Sequence, residues 1–264
     1  MKINHPKKSL GQNFLTDSNI IDSIIIAGNI KKNDTILEVG PGTGNLTEKI
    51  ILKSPKKIFA VEKDEFLAKK LNEKFKKKII LINDDILKIN EKKFSDDPMI
   101  VFGNLPYNIS TQILVKWIRY NNLNYSFKKF ILMFQKEVAE RIVAKINTKN
   151  YGRLAVLSAW KLNIKKIINV SPNSFYPVPK VESSVLLIEP KNEYYSLKNP
   201  KSLEHITNIF FNQRRKMIKK PLNIIFKNVN EISKKLNINI NDRPQNLSSL
   251  KYFEICKEFE NLNS

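Results

Sequence analysis

The sequence predicts an α/β fold with a mainly parallel sheet of seven strands, followed by a small all-helical C-terminal domain. Three observations carry this. Short apolar runs alternate with segments of helical spacing over the first 190 residues. Three of the chain's seven glycines, Gly40, Gly42 and Gly44, crowd into one turn between the first central strand and the next helix. Past Pro190 no strand signal remains, only helical periodicity.

Taken in order, "DSNIIDSIIIAG" (Asp17–Gly28) has an acidic cap and the apolar spacing of a helix. "TILEV" (Thr35–Val39) is a short buried strand, and "GPGTGNLTEKIIL" turns it into a helix. "KIFAV" (Lys57–Val61) is the second strand, "IILIN" (Ile79–Asn83) the third, with the helical "EKDEFLAKKLNEKF" between them. "MIVFG" (Met99–Gly103) is the fourth; it runs through Asn-Leu-Pro-Tyr into a helix for which Ser110 or Thr111 is the expected N-cap. "FKKFILMFQ" (Phe127–Gln135) is the fifth, followed by the helical segments "KEVAERIVAKI" and "YGRLAVLSAW". "KIINV" and "SSVLLIEP" flank a proline-rich loop without a clear helix between them, so an antiparallel pairing is open to them. In "KSLEHITNIFFNQRRKMIKK" the residues Leu203, Ile206, Phe210 and Met217 recur at helical spacing. The expected domains are therefore 1–190 and 191–264.

Composition bounds the partners. Net charge is +21 with 46 basic against 25 acidic residues, which points to a polyanion, most often nucleic acid. The basic residues are 40 lysines and 6 arginines in an Ile- and Asn-rich chain, a pattern that AT-rich codons also produce. The arginines are thus the more informative, and Arg214 and Arg215 are adjacent. The single cysteine, Cys256, excludes an intrachain disulfide and a cysteine-based zinc site. No apolar run reaches membrane-span length, and "MKINHPKKSLGQNFL" lacks the apolar core of a secretory signal, so a reducing, cytoplasmic location is expected.

Candidate ligand chemistry gathers at strand ends. Glycines after the first strand let backbone approach a ligand closely. Glu62 ends the second strand, 22 residues after Gly40, where a carboxylate can accept both hydroxyls of a ribose. Asp84 and Asp85 end the third, where a carboxylate can accept an adenine amino group. Each acid alone could be a solvated strand end or a cap. Together they fit NAD or S-adenosylmethionine, which differ in that only the dinucleotide brings a pyrophosphate.

"NLPY" (Asn104–Tyr107) at the fourth strand end decides between them. An adenine amino nitrogen is a poor nucleophile because its lone pair is delocalised into the ring. Two acceptors on its hydrogens, the Asn104 side-chain oxygen and the Leu105 carbonyl, would draw it toward tetrahedral geometry and aim the lone pair at a methyl group. Pro106 stiffens the turn and Tyr107 can stack on the base. This is positioning and electrostatic catalysis. It needs no strong base, and the two histidines, His5 and His205, lie far from the strand ends. A structural turn with a core tyrosine is the alternative.

The ordered motifs "GQNFL", "EVGPGTGNLT", "GNLPYNIS", "FYPVPKVESSV" and "FFNQRRK" make the chain resemble the rRNA adenine N6-dimethyltransferases, most closely the small-subunit enzymes, over essentially its whole length. The resemblance implies a Rossmann-like, seven-stranded class I methyltransferase domain and a small helical C-terminal domain that contacts RNA. It implies transfer of four methyls from S-adenosylmethionine to two adjacent adenosines in the last hairpin of small-subunit rRNA, by a monomer acting on a precursor particle during ribosome biogenesis. By the same resemblance Asn13 and Leu15 close over the cofactor, Gly40 lines its methionine end, Glu62 holds the ribose, and Asp85, chosen over Asp84 by register only, reaches the adenine. Asn104 touches both cofactor and target amine. Phe175 would stack on the flipped base opposite Tyr107; ordinary core packing is its alternative. Arg214, Arg215, Lys216, Lys219 and Lys220, expected on about two turns of helix, would contact phosphates. Arg243 also matches, without an evident role. No metal is implied.

Rivals remain within the sequence reading. The related large-subunit dimethyltransferases are the nearest, with "LGQNFL" and "FNQRRK" favouring the small-subunit type. N6-adenine DNA methyltransferases more often carry proline where this chain has Leu105 and need a target-recognition domain for which 264 residues leave little room. A non-catalytic RNA-binding assembly factor is opposed by the intact Glu62, Asn104 and Tyr107.

Overall fold

The computed structural model describes residues 11–262; His5 lies outside them. Within these residues two compact units emerge, 11–139 with Asn163–Pro190, and Glu140–Leu162 with 191–262.

The strands are β1 (Phe14–Leu15), β2 (Thr35–Val39), β3 (Lys57–Val61), β4 (Ile80–Ile82), β5 (Met99–Asn104), β6 (Phe127–Gln135), β7 (Leu162–Val170), β8 (Phe175–Tyr176) and β9 (Ser183–Pro190). Seven form one sheet in the order β4-β3-β2-β5-β6-β9-β7. β2 through β6 run parallel to one another, and β9 runs antiparallel to β6. The parallel core follows from sequence: β2, β5 and β6 are near-continuous apolar runs, as strands covered on both faces must be.

Strand order places the site. The chain moves outward from β2 to β3 to β4, then returns to lay β5 on the other side of β2, with Val39 opposite Gly103. The glycine turn leaves β2 and Asn-Leu-Pro-Tyr leaves β5, so the two meet where the order reverses, the position where such sheets open a crevice.

The first unit departs from the sequence reading in small ways. The third strand shrinks to Ile80–Ile82 at the sheet edge. The helix after β5 spans Ser110–Ile118 with Ile109 at the cap position and no side-chain cap; the Ser110 hydroxyl donates to the Tyr107 carbonyl at 3.3 Å instead. An unforeseen two-stranded ribbon pairs β1 with β8, Phe14 opposite Tyr176 and Leu15 opposite Phe175.

The second unit takes in the chain from Lys191 and also Glu140–Leu162, a segment that the sequence reading put with the sheet. Its side chains show why. Tyr151 meets Phe211 edge-on at 6.2 Å, and its hydroxyl donates to the Leu247 carbonyl at 3.0 Å. Phe210 and Tyr252 are fully buried, 5.3 Å apart between ring centres. The unit is helical, with Pro200–Phe211 and Ser249–Leu262 among its helices. Leu203, Ile206 and Phe210 face this core, but Met217 is exposed because the first of these helices ends at Phe211.

Candidate active site

A single cavity of the first unit is lined by residues from every strand end singled out above: Gly40 and Gly42, Glu62 and Lys63, Asp84 and Asp85, and Asn104 through Tyr107, with Asn13 and Leu15. Gly40 and Gly42 hold φ of +68° and +59°, which L-residues with side chains rarely adopt. A Cβ on Gly42 would lie 2.7 Å from the Phe14 ring, so the turn has no room for one.

Glu62 is 7% exposed. Its Oε2 accepts from the Gly42 N–H at 3.1 Å and its Oε1 from the Asp64 N–H at 2.9 Å. Burial pushes its carboxyl above the usual range, and these two donors oppose the rise. Each oxygen keeps one lone-pair direction, which matches the two hydroxyls of a ribose. Asp85 is similarly half used: Oδ1 accepts from the Leu87 N–H and Oδ2 from the Lys63 ammonium, both at 2.9 Å. Burial raises its pKa, but the Lys63 and Leu87 bonds and the charges of Lys63 and Lys88 outweigh that and hold it below the usual range. Asp84 accepts from the Asp85 N–H at 2.6 Å.

Asn104 donates its Nδ2 to the Asn13 carbonyl at 2.7 Å. A carbonyl can only accept, so this bond assigns the amide: Oδ1 is the edge left to accept. Leu105 buries its side chain, at 1% exposure, and Pro106 and Tyr107 line the cavity beside it. The Tyr107 hydroxyl and the Ser183 hydroxyl are 2.6 Å apart, which fixes the ring to β9. Burial raises the Tyr107 pKa against that bond, so the phenol stays neutral at physiological pH.

Phe175 is not brought to the cavity. It is 2% exposed and packs in the core with Leu15 and Val185. Side chains alternate along the ribbon, so pairing with Leu15 turns Phe175 inward and leaves Tyr176, at 53% exposure, outward. Phe175 therefore sits in the core as its alternative expects, against Leu15 and Val185, which line the cavity.

Among the basic residues of the second unit, Arg215, Lys216, Lys219 and Lys220 are exposed. They do not share two turns of one helix: a turn region follows Phe211, and a new helix spans Lys219–Ile225. Arg214 is half-buried and donates to the Lys149 carbonyl and, at 3.3 Å, to that of Thr148. It anchors backbone within its own unit. Arg243, left without a role, directly precedes the short Pro244–Asn246 turn, and its N–H donates to the Asn246 side chain at 3.1 Å.

Glu38 was not singled out from sequence. It is fully buried at the cavity, accepts from the Thr47 hydroxyl at 2.7 Å, and burial raises its pKa to about 7. The available signal was an acid inside an otherwise apolar strand, two residues before the first glycine of the turn. Gln12 was missed as well; it donates to Asp64 at 2.9 Å.

Electrostatics bears on the ligand. In a chain of net charge +21, this cavity is lined by four carboxyl groups, those of Glu38, which burial keeps partly protonated near pH 7, and of Glu62, Asp84 and Asp85, against one ammonium, Lys63. A diphosphate would be repelled there, whereas a cationic sulfonium is attracted. The donor set thus fits S-adenosylmethionine, with Glu62 placed for its ribose, and the fold and site together define a class I S-adenosylmethionine-dependent methyltransferase.

Comparison with known proteins narrows this. The ribosomal RNA adenine dimethylase family matches residues 3–261. The chain is 55% identical over 256 residues to the ribosomal RNA small subunit methyltransferase A of Pelagibacter ubique (strain HTCC1062), covering 97% of each chain. It is 43% identical over 256 residues to the protein of the same name from Ehrlichia ruminantium (strain Gardel), covering 96% of each. The crystal structure of a dimethyladenosine transferase from Plasmodium falciparum superposes with a TM-score of 0.81 at 27% identity, covering 95% of this chain and 98% of that one. The chain belongs to the ribosomal RNA adenine dimethylase family, and it is an S-adenosylmethionine-dependent rRNA adenine dimethyltransferase.

Proposed function

We propose that this enzyme dimethylates N6 of two adjacent adenosines in the 3′-terminal hairpin of small-subunit rRNA, acting in the cytoplasm as a monomer on a precursor of the small subunit. The observation that carries the reading is the placement of Asn104 on the same cavity as Glu62 and Asp85, so that an adenine amine and a cofactor nucleoside can share it. The near-full-length relatives named small subunit methyltransferases favour this substrate over large-subunit rRNA.

The bound cofactor supplies an electrophilic methyl group. The chain's residues supply geometry. Asn104 Oδ1 and the Leu105 carbonyl accept the N6 hydrogens and orient the lone pair. Tyr107, fixed by Ser183, offers a ring against which an extruded base stacks. No side chain needs to remove the proton before transfer, because the methylated ammonium is acidic and loses it afterward. Asn13 and Leu15 close over the cofactor, Gly40 lines its methionine end, Glu62 holds the ribose and Asp85 reaches the adenine. Arg215, Lys216, Lys219 and Lys220 contact phosphates.

The test is to incubate the protein with labelled S-adenosylmethionine and, in separate reactions, unmethylated small and large subunits, and to map the label. Two adjacent dimethyladenosines near the 3′ end are expected. Label confined to large-subunit rRNA, or none in either RNA, overturns the reading.

A further inference from the structure

We infer that Lys116 is a positioning residue for the cofactor: from the helix that follows the NLPY turn, it fixes the turn carrying Asp84 and Asp85. This rests on the proposal that Asp85 reaches the cofactor adenine.

The turn needs an anchor. It leaves β4, a three-residue edge strand with one neighbour, so no ladder holds its outer side. At its start Asn83 donates to the Glu62 carbonyl at 2.8 Å. Beyond Asp85 the backbone carbonyls of Ile86 and Ile89 both face the Lys116 ammonium, at 2.5 and 2.6 Å. The third ammonium proton is shared by Glu91 Oε1 and Oε2, at 2.8 and 2.9 Å.

Glu91 is fully buried, a placement that is unfavourable for a carboxylate unless its oxygens are satisfied. Here they are, by Lys116, by Trp117 Nε1 at 2.8 Å and by the Tyr120 hydroxyl at 2.5 Å. An apolar pair would pack as well but could not bond two carbonyls. Lys116 lies on Ser110–Ile118, whose first residue bonds the Tyr107 carbonyl. One rigid helix therefore carries the NLPY turn at its beginning and clamps the Asp84–Asp85 turn near its end.

The variant is Lys116→Met combined with Glu91→Gln, which removes the anchor without leaving an unpaired buried charge. S-adenosylhomocysteine affinity by calorimetry should fall about tenfold, the scale of one lost oriented charged contact. In the ligand-free protein, amides of Ile86–Ile89 should lose exchange protection while those of Ser110–Ile118 keep theirs. The single-turnover rate at saturating S-adenosylmethionine should stay within about threefold of wild type, a binding-only split that general destabilisation would not give. Should the double variant fail to fold, Lys116→Gln combined with Glu91→Gln, which also leaves no unpaired buried charge, is read the same way. Asp85→Asn is the parallel arm. If it weakens binding and the Lys116 variant does not, or if rate and affinity fall together, the positioning role is wrong. If Asp85→Asn leaves affinity unchanged, the adenine assignment fails and this inference falls with it.

Discussion

Asn104 and Asn13, 91 residues apart, are joined by a 2.7 Å hydrogen bond in which the Asn104 amide donates and the Asn13 carbonyl accepts. The bond leaves the Oδ1 edge of Asn104 free to accept, the edge that the proposed mechanism uses, and it ties the GQNFL segment to the Asn104–Tyr107 turn.

Asn104→Ala removes one of two acceptors and should lower the methyl-transfer rate about 10²-fold, as loss of an oriented hydrogen-bonding group does elsewhere. The second methylation should respond differently, because monomethyladenosine has one N6–H left to share between Asn104 and Leu105. Nucleoside mass spectrometry after single turnovers measures both the rate and the mono- to dimethyl ratio. If neither changes, Asn104–Tyr107 is only a turn. Asn104→Asp should also be impaired, since a carboxylate opposite the Asn13 carbonyl has no proton to donate when ionised.

Glu62→Ala should weaken S-adenosylmethionine binding by about 1.5–3 kcal/mol, the scale of hydrogen bonds to a charged acceptor. Calorimetry checks this. Because Glu62 also accepts from the N–H groups of Gly42 and Asp64, the thermal transition should be followed alongside, with some loss of stability expected.

Glu38 makes stability pH-dependent. Its carboxyl is raised from 4.5 to about 7 in the fold, so between these values the native state holds more proton than the unfolded chain. Its contribution is fully present below about pH 4.5 and is lost as pH rises through about 7, a change of roughly 3 kcal/mol. Glu38→Gln keeps an acceptor for Thr47 and cannot ionise. Denaturant titrations of the ligand-free protein should show that this variant loses the decline, and it should gain on wild type above pH 7.

Arg215→Ala with Lys216→Ala should flatten the salt dependence of RNA binding by roughly 1–2 units of log K per log salt. Arg214→Ala should act differently. Its guanidinium holds the Thr148 and Lys149 carbonyls, so a stability loss of about 1 kcal/mol is expected, with less effect on the slope. Filter binding over a salt series and thermal unfolding separate the two. Equal slopes for wild type and the Arg215 and Lys216 double variant would remove this face from the RNA interface.

What sequence determined by itself was whatever depends on local pattern. Apolar runs such as Thr35–Val39 and Phe127–Gln135 become strands because no other arrangement buries them, and a glycine turn followed by strand-end acids locates the ligand edge. Asn104 was legible because Asn-Leu-Pro-Tyr exceeds what a turn requires. Tertiary structure decided whatever depends on partners distant along the chain. The β1–β8 ribbon, only two residues a side, turned Phe175 into the core. Tyr151 drew Glu140–Leu162 into the helical unit through Phe211 and Leu247. Arg214, expected to contact phosphates, also holds two carbonyls more than 60 residues away, a structural role that no local pattern shows. Glu91 and Lys116 carry no motif at all. The physical reason is common to these cases: period and turn chemistry act over a few residues, whereas side-chain burial and hydrogen-bond satisfaction are settled only when strand order brings remote segments together.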